Sequence, residues 1–138
     1  MFLCGIIPIM KSVVICGSRR YKPEIKRFAK SLIKLGITVY APYLHEGKDE
    51  WNKLSEQYKT FTILGLTHDH VYKIKMADVV YVYNKNGYSG ASTTLEIGAA
   101  LAMNKPIYAY SNKDKELCRN TLFREIIKSP RKLLLKLK

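Results

Sequence analysis

Val13-Val14-Ile15-Cys16-Gly17-Ser18 (VVICGS, residues 13–18) is the stretch that decides the fold. A continuous apolar run, largely β-branched and ending in Gly-Ser, reads as a strand buried on both faces. Pro23 then opens a helical stretch in which Ile25, Phe28, Ala29, Leu32 and Ile33 are spaced for one apolar face. Gly36 ends it, and Ile37-Thr38-Val39-Tyr40 reads as a second strand. Strand, helix and strand within about 30 residues make the βαβ unit of a parallel sheet.

Downstream, the pattern is weak from His45 to Leu66, where we expect an irregular or partly helical excursion. Trp51 within it is either a lid over a pocket or a simple anchor. His68 to Met76 is short and helical in character, and Val79 to Tyr83 is a third strand. A loop from Asn84 to Ser92 carries Gly87 and Gly90. A helix from Thr93 to Met103 follows, with Gly98, Ala99, Ala100 and Ala102 small enough to approach a sheet closely. Pro106 to Tyr110 is a fourth strand, Glu116 to Lys128 a closing helix, and Leu133 to Leu137 either a fifth strand or a basic tail. The predicted fold is α/β, a doubly wound parallel sheet of four to five strands in the order 2-1-3-4, with helices on both faces. That is the flavodoxin-like or Rossmann-like arrangement, and it places ligands at the carboxyl ends of the strands where the order reverses.

Length and composition bound the rest. The chain has 138 residues, about one domain's worth, with 47% hydrophobic and 25% charged residues. We divide it into an apolar N-terminal extension (1–10), one domain (11–128) and a basic C-terminal tail (129–138). Lys and Arg number 24 against 11 Asp and Glu, a formal net charge of +13. Such a field attracts anions, but no nucleic-acid-binding signature accompanies it, so a solvated Lys-rich surface is the preferred reading. No apolar run approaches the ~20 residues of a membrane span. Cys4, Cys16 and Cys118 form no disulfide framework, and with His45, His68 and His70 they make no zinc pattern. Cys16 reads as a small core residue. We expect a reduced, cytoplasmic protein with no metal and no cofactor.

Between the first and third strands the expected switch point selects two loops. In the first, Gly17 lets backbone N–H groups approach a ligand, Ser18 offers a hydroxyl, and Arg19 or Arg20 can clamp a phosphate. This is neither GxGxxG nor a P-loop. In the second, Gly87-Tyr88-Ser89-Gly90-Ala91-Ser92-Thr93-Thr94-Leu95-Glu96 joins glycines, hydroxyls and one carboxylate. Ser92 is the expected N-cap, and Glu96 falls near the helix N-terminus, where the dipole favours its ionised form. An ionised carboxylate at a ligand edge suits attack on a sugar C1′, whose transition state is oxocarbenium-like. A surface glutamate that only stabilises the dipole is the plainer alternative. Tyr88 can stack on a base, and Asn84 can reach the ligand or hold the loop. Tyr81, Tyr83, Tyr108 and Tyr110 alternate along strands and read as packing residues.

Three segments, VVICGSRR, HVYKIKMADVVYVYN and GYSGASTTLEIGAALAMNKPIYAY, together resemble the nucleoside 2-deoxyribosyltransferase superfamily, which includes the 2′-deoxynucleoside 5′-monophosphate N-hydrolases. The resemblance runs from Val13 to Tyr110. It implies cleavage or exchange of an N-glycosidic bond, with Glu96 as nucleophile forming a covalent deoxyribosyl intermediate. It also implies a homodimer or larger homo-oligomer whose subunits complete each other's sites. Many members carry an Asp eight residues before the Ala-Asp that opens the third strand, where this chain has His70 with Asp69 beside it. Either residue is then a candidate acid for the departing base, or His70 orients Glu96. Gly17, Ser18 and Arg19 are expected at the 5′ end of the substrate, with Gly90, Ser92 and Thr93 along the sugar and phosphate. Gly90 stands where some transferases have an acidic residue and Val14 where some have a tyrosine, which counts against the transferase mechanism but not against a glycosidase; Arg19-Arg20 at the phosphate end favours the monophosphate hydrolase. A nucleotide sensor without turnover, a phosphoribohydrolase of the lysine-decarboxylase-like group and a nucleic-acid-binding module are the alternatives.

Overall fold

A computed structural model describes residues 10–42 and 48–138. The first nine residues of the expected N-terminal extension, with Cys4, and His45 lie outside the described residues.

Strand β1 (Val13–Gly17) is buried along its whole length. Its side chains alternate between two cores: Val13 and Ile15 enter one, Val14 and Cys16 the other. Strand β3 (Val79–Tyr83) does the same, sending Val79, Tyr81 and Tyr83 one way and Val80 and Val82 the other. With β2 (Val39–Tyr40), β4 (Ile107–Ala109) and β5 (Glu125–Ile126) they form one sheet, ordered β2-β1-β3-β4-β5 and parallel at every pairing. The order reverses between β1 and β3, where Gly17 is in register with Tyr83. The expected architecture and switch point are therefore those observed.

Helices α1 (Lys22–Lys34) and α6 (Pro130–Leu137) pack on each other over one face of the sheet. Helices α3 (Glu56–Met76) and α4 (Ala91–Ala102) pack on each other, with α4 against β1, β3 and β4 on the other face. Shorter helices α2 (Lys48–Asn52) and α5 (Leu117–Asn120) lie in the connections. Among the described residues no helix is long and apolar enough to cross a membrane.

Three elements differ from the sequence reading. The weak stretch, expected to be irregular or partly helical, is helical from Glu56 on: that part belongs to α3, which runs 21 residues through His68 to Met76. Its apolar residues follow no helical period, and only His70 and Ile74 are buried, so periodicity had nothing to detect. The expected closing helix 116–128 is a four-residue helix followed by β5, a strand too short for an alternation signal. Leu133 to Leu137 is neither strand nor tail. Ser129 caps α6 by accepting from the Lys132 N–H at 3.2 Å, Pro130 opens it, and Leu133 and Leu137, one turn apart, are fully buried against α1.

The expected packing role of the tyrosines is observed. Tyr81 is buried, stacks on Phe28 at 4.6 Å, and donates its hydroxyl hydrogen to the Ile127 carbonyl at 2.5 Å. Asp78 accepts from both the backbone N–H and the hydroxyl of Ser12 (2.8 and 3.1 Å), fixing the entry to β3 beside that to β1.

Candidate active site

The end of β1, the middle of α3 and the second turn of α4 bring Cys16, His70 and Glu96 together. His70 Nε2 lies 3.4 Å from Cys16 Sγ and 3.5 Å from Glu96 Oε2. Cys16 is fully buried and His70 is 5% exposed. The Glu96 side chain retains 17% of its exposure, and through it the cluster reaches solvent. Burial dominates the electrostatics. It lowers the His70 pKa to about 4, against a smaller upward pull from Asp69, so the imidazole is neutral at physiological pH. Burial pushes the Glu96 carboxyl up to about 7, with a smaller opposing effect from the Cys16 thiol. It also raises the Cys16 thiol, as does the neighbouring Glu96.

That reverses one sequence expectation. The dipole was expected to keep Glu96 ionised, but α4 starts at Ala91 and the carboxyl faces the sheet one turn further in, where desolvation prevails. The N-cap also differs. Gly90, not Ser92, occupies it, and Thr94 donates its hydroxyl hydrogen back to the Gly90 carbonyl at 2.8 Å.

Tyr40, at the end of β2, was missed by the sequence reading and frames the cluster. Its ring meets His70 edge-on at 5.4 Å, and its hydroxyl donates to Asp69 Oδ2 at 3.1 Å. Asp69, half-exposed, also faces Lys73 Nζ at 4.0 Å. His70 and Asp69 therefore point to different partners, one inward to Glu96 and one outward.

The two expected ligand loops meet. Arg20 lies over the Tyr88 ring, 3.6 Å from its centre, and Tyr21 donates to the Lys85 carbonyl at 2.5 Å. Ser18 accepts from the Arg20 N–H at 3.2 Å and caps the short 3-10 turn Arg19–Tyr21; Arg19 is exposed on that turn. A Cβ at Gly17 would stand 2.6 Å from Ile25 Cδ1 and 3.0 Å from the Tyr83 carbonyl oxygen, so packing against α1 and β3 by itself disfavours a side chain there. Thr93 is buried and Ser92 exposed. Ser89, one of the hydroxyls of the second loop, is buried, and its Oγ has no hydrogen-bond partner among the described residues. Of its two expected roles, Asn84 takes that of holding the loop. It is fully buried, donates to the Ser111 carbonyl and accepts from the Ser111 N–H, both at 2.8 Å.

A groove of about 760 Å³ follows the face of α4 carrying Ala91, Thr94, Leu95 and Gly98, with Arg119 on its wall. Glu96 and His70 do not line it. Arg119, also missed, donates to Asp114 Oδ2 at 2.6 Å and to Thr94 Oγ1 at 3.1 Å, bracing α4 against the loop after β4.

No family model matches the chain, and no curated protein matches it by sequence. Solved structures do. The 2-deoxyribosyltransferase of Bacillus psychrosaccharolyticus superposes with a TM-score of 0.60 at 16% identity, covering 89% of this chain and 90% of that one. This chain has the 2-deoxyribosyltransferase fold. A conserved protein of Enterococcus faecalis V583 shares that fold (TM-score 0.59, 16% identity, 94% of this chain and 98% of that one). So does BcmB, a CMP N-glycosidase of Clostridium botulinum (TM-score 0.50, 21% identity, 91% and 98%). Within the 2-deoxyribosyltransferase fold, the Cys16–His70–Glu96 cluster lies at the sheet's switch point, where an α/β sheet of this order accepts a ligand.

Proposed function

We propose that this protein breaks the N-glycosidic bond of a 2′-deoxynucleoside or its 5′-monophosphate, passing the sugar to water or to a second base. The observation that carries the reading is a carboxylate, Glu96, desolvated at the switch point with His70 Nε2 3.5 Å from its oxygen. Two solved neighbours with this fold, a 2-deoxyribosyltransferase and a CMP N-glycosidase, act on bonds of that kind. In the first step the ionised Glu96 oxygen attacks C1′ while the base leaves with the bonding electron pair and takes up a proton. In the second, water or another base attacks C1′ and releases the carboxylate.

Of the two roles expected for His70, the geometry favours orientation. Its ring is buried, neutral and turned to Glu96, so it packs beside the carboxylate rather than meeting the departing base. Asp69, half-exposed beside it and held by Tyr40, is the candidate that assists the base. Gly17, Ser18 and Arg19 are assigned to the 5′ end, Tyr88 to the base, and Gly90, Ser92 and Thr93 to the sugar and phosphate. Arg19 and Arg20 at the phosphate end favour the monophosphate hydrolase. We assign the working form to a homo-oligomer, consistent with the apolar side chains that α3 leaves exposed.

Chromatography of free base released from a panel of deoxynucleosides and their monophosphates, with and without a second base, tests this. Release by the wild type and at least about a thousandfold less by Glu96→Gln is expected. Dependence on the second base separates transferase from hydrolase. Nucleotide binding without any turnover would replace the reading by a sensor.

A further inference from the structure

Three donor atoms of different chemistry converge at the end of β1. Cys16 Sγ, His70 Nε2 and a Glu96 carboxylate oxygen lie within 4.8 Å of one another. Two of the edges, from Nε2 to Sγ and from Nε2 to Oε2, measure 3.4 and 3.5 Å. A tetrahedral zinc ion, with bonds of about 2.0–2.3 Å to nitrogen, oxygen and sulfur, holds its ligand atoms about 3.3–3.6 Å apart. Both edges that meet at His70 therefore already have zinc-site lengths. Glu96, the longest and most exposed of the three side chains, can close the remaining edge by rotation. A second observation points the same way: Glu96 Oε2 is buried with no hydrogen-bond partner among the described residues.

The donor set selects the cation. Thiolate, neutral imidazole and carboxylate form a borderline-soft set, and its two negative charges balance one divalent ion. Magnesium and calcium prefer all-oxygen shells and are disfavoured by the sulfur and nitrogen. Three protein ligands leave a fourth position, which the partial exposure of Glu96 directs to the solvent side.

We propose that Cys16, His70 and Glu96 form a binding site for a divalent cation of the zinc class. The site stands independently of the glycosidic reading, and one consequence rests on that reading. A cation bonded to the Glu96 oxygen occupies the electron pair that would attack C1′, so zinc is an inhibitor of turnover and a chelator restores it.

Cobalt(II) is the probe, titrated into the full chain carrying Cys4→Ser and Cys118→Ser, which leaves Cys16 as the sole thiol. The expected result is one cobalt per chain, with a sulfur-to-cobalt charge-transfer band and the visible bands of a tetrahedral ion, all displaced by zinc. His70→Ala and Glu96→Gln should each weaken cobalt binding by more than about tenfold, since even loss of an outer-shell partner costs that much. Cys16→Ser should abolish the charge-transfer band. Absence of that band from the starting chain would overturn the proposal, as would unchanged affinity in Glu96→Gln, a near-isosteric change at a part-exposed side chain that does not threaten folding. Base release is measured on the same chain with zinc and then with chelator. If cobalt binds as described but no substrate turns over, the glycosidic reading fails and the metal site stands. If base is released but no cobalt site forms, the reverse holds.

Discussion

Glu96 and His70 titrate in opposite directions for the same reason. Each loses water, which disfavours its charged form, so the carboxyl rises to about 7 and the imidazole falls to about 4. Near neutral pH the pair is thus a partly ionised carboxyl facing a neutral ring, not an ion pair. A neutral ring packed 3.5 Å from the nucleophile limits its freedom by contact, without a hydrogen bond that would draw on its electron pair. Removing the ring should loosen the carboxylate more than it loosens the substrate. We expect His70→Ala to lower kcat by roughly ten- to a hundredfold while KM changes little, the signature of lost positioning. Steady-state kinetics on the best substrate of the panel would show it. A rise in KM with kcat preserved would instead put His70 in contact with substrate.

At the scale of elements, the loops after β3 and β4 are tied together by side chains that sequence reading assigned elsewhere or missed. Asn84 closes two hydrogen bonds on the backbone of Ser111, out of reach of water. Asn84→Ala strands both groups of Ser111, and chemical denaturation should show a loss of about 2–3 kcal/mol. Asp114 anchors the next turn. Burial tends to raise its carboxyl, but hydrogen bonds from Arg119 and from the Glu116 N–H outweigh that and hold it below its ordinary value. A carboxylate depressed on folding lends stability that is present above its unfolded pKa and lost as the pH falls through the folded one. The wild type should therefore lose stability on acidification below about pH 4, and Asp114→Asn, weaker at neutral pH, should show a flatter acid limb. Thermal melts across that range decide it; parallel acid limbs would remove Asp114 from the account. What the sequence disclosed at this scale follows from period and length. β1, β3 and α1 were legible because double burial and a 3.6-residue face leave marks, and α4 because of its run of small residues. β5 has two residues and leaves none. The approach of His70 to Glu96 was expected from the resemblance, but that Cys16 joins them was not legible, because it lies 54 residues before His70 and only the β1–α3–α4 packing brings them together. Cys16 did read correctly as buried; its neighbour was the missing information.

For the molecule as a whole, α3 poses the largest physical question. Tyr58, Phe61, Ile63, Leu64, Leu66, Tyr72 and Met76 of this one helix are exposed, with Leu95 and Leu101 of the adjoining α4. Scattered apolar residues on a surface are ordinary, but a helix that buries two side chains and exposes seven large apolar ones presents a face suited to a partner surface. A formal net charge of +13 opposes self-association at long range, so the proposed oligomer requires apolar contact at short range. The same helix carries His70 and Asp69, which puts this surface and the site on one element. We expect the wild type to be a dimer or larger by analytical ultracentrifugation, and Phe61→Glu with Leu64→Glu to be monomeric. Both positions are exposed, at 73% and 54%, so the folded chain should tolerate the change within about 0.5 kcal/mol per site. If subunits complete each other's sites, the monomer will keep its circular dichroism and lose base release. A wild type that stays monomeric at every concentration, or a substituted chain that still associates, would leave the apolar face of α3 to some other partner.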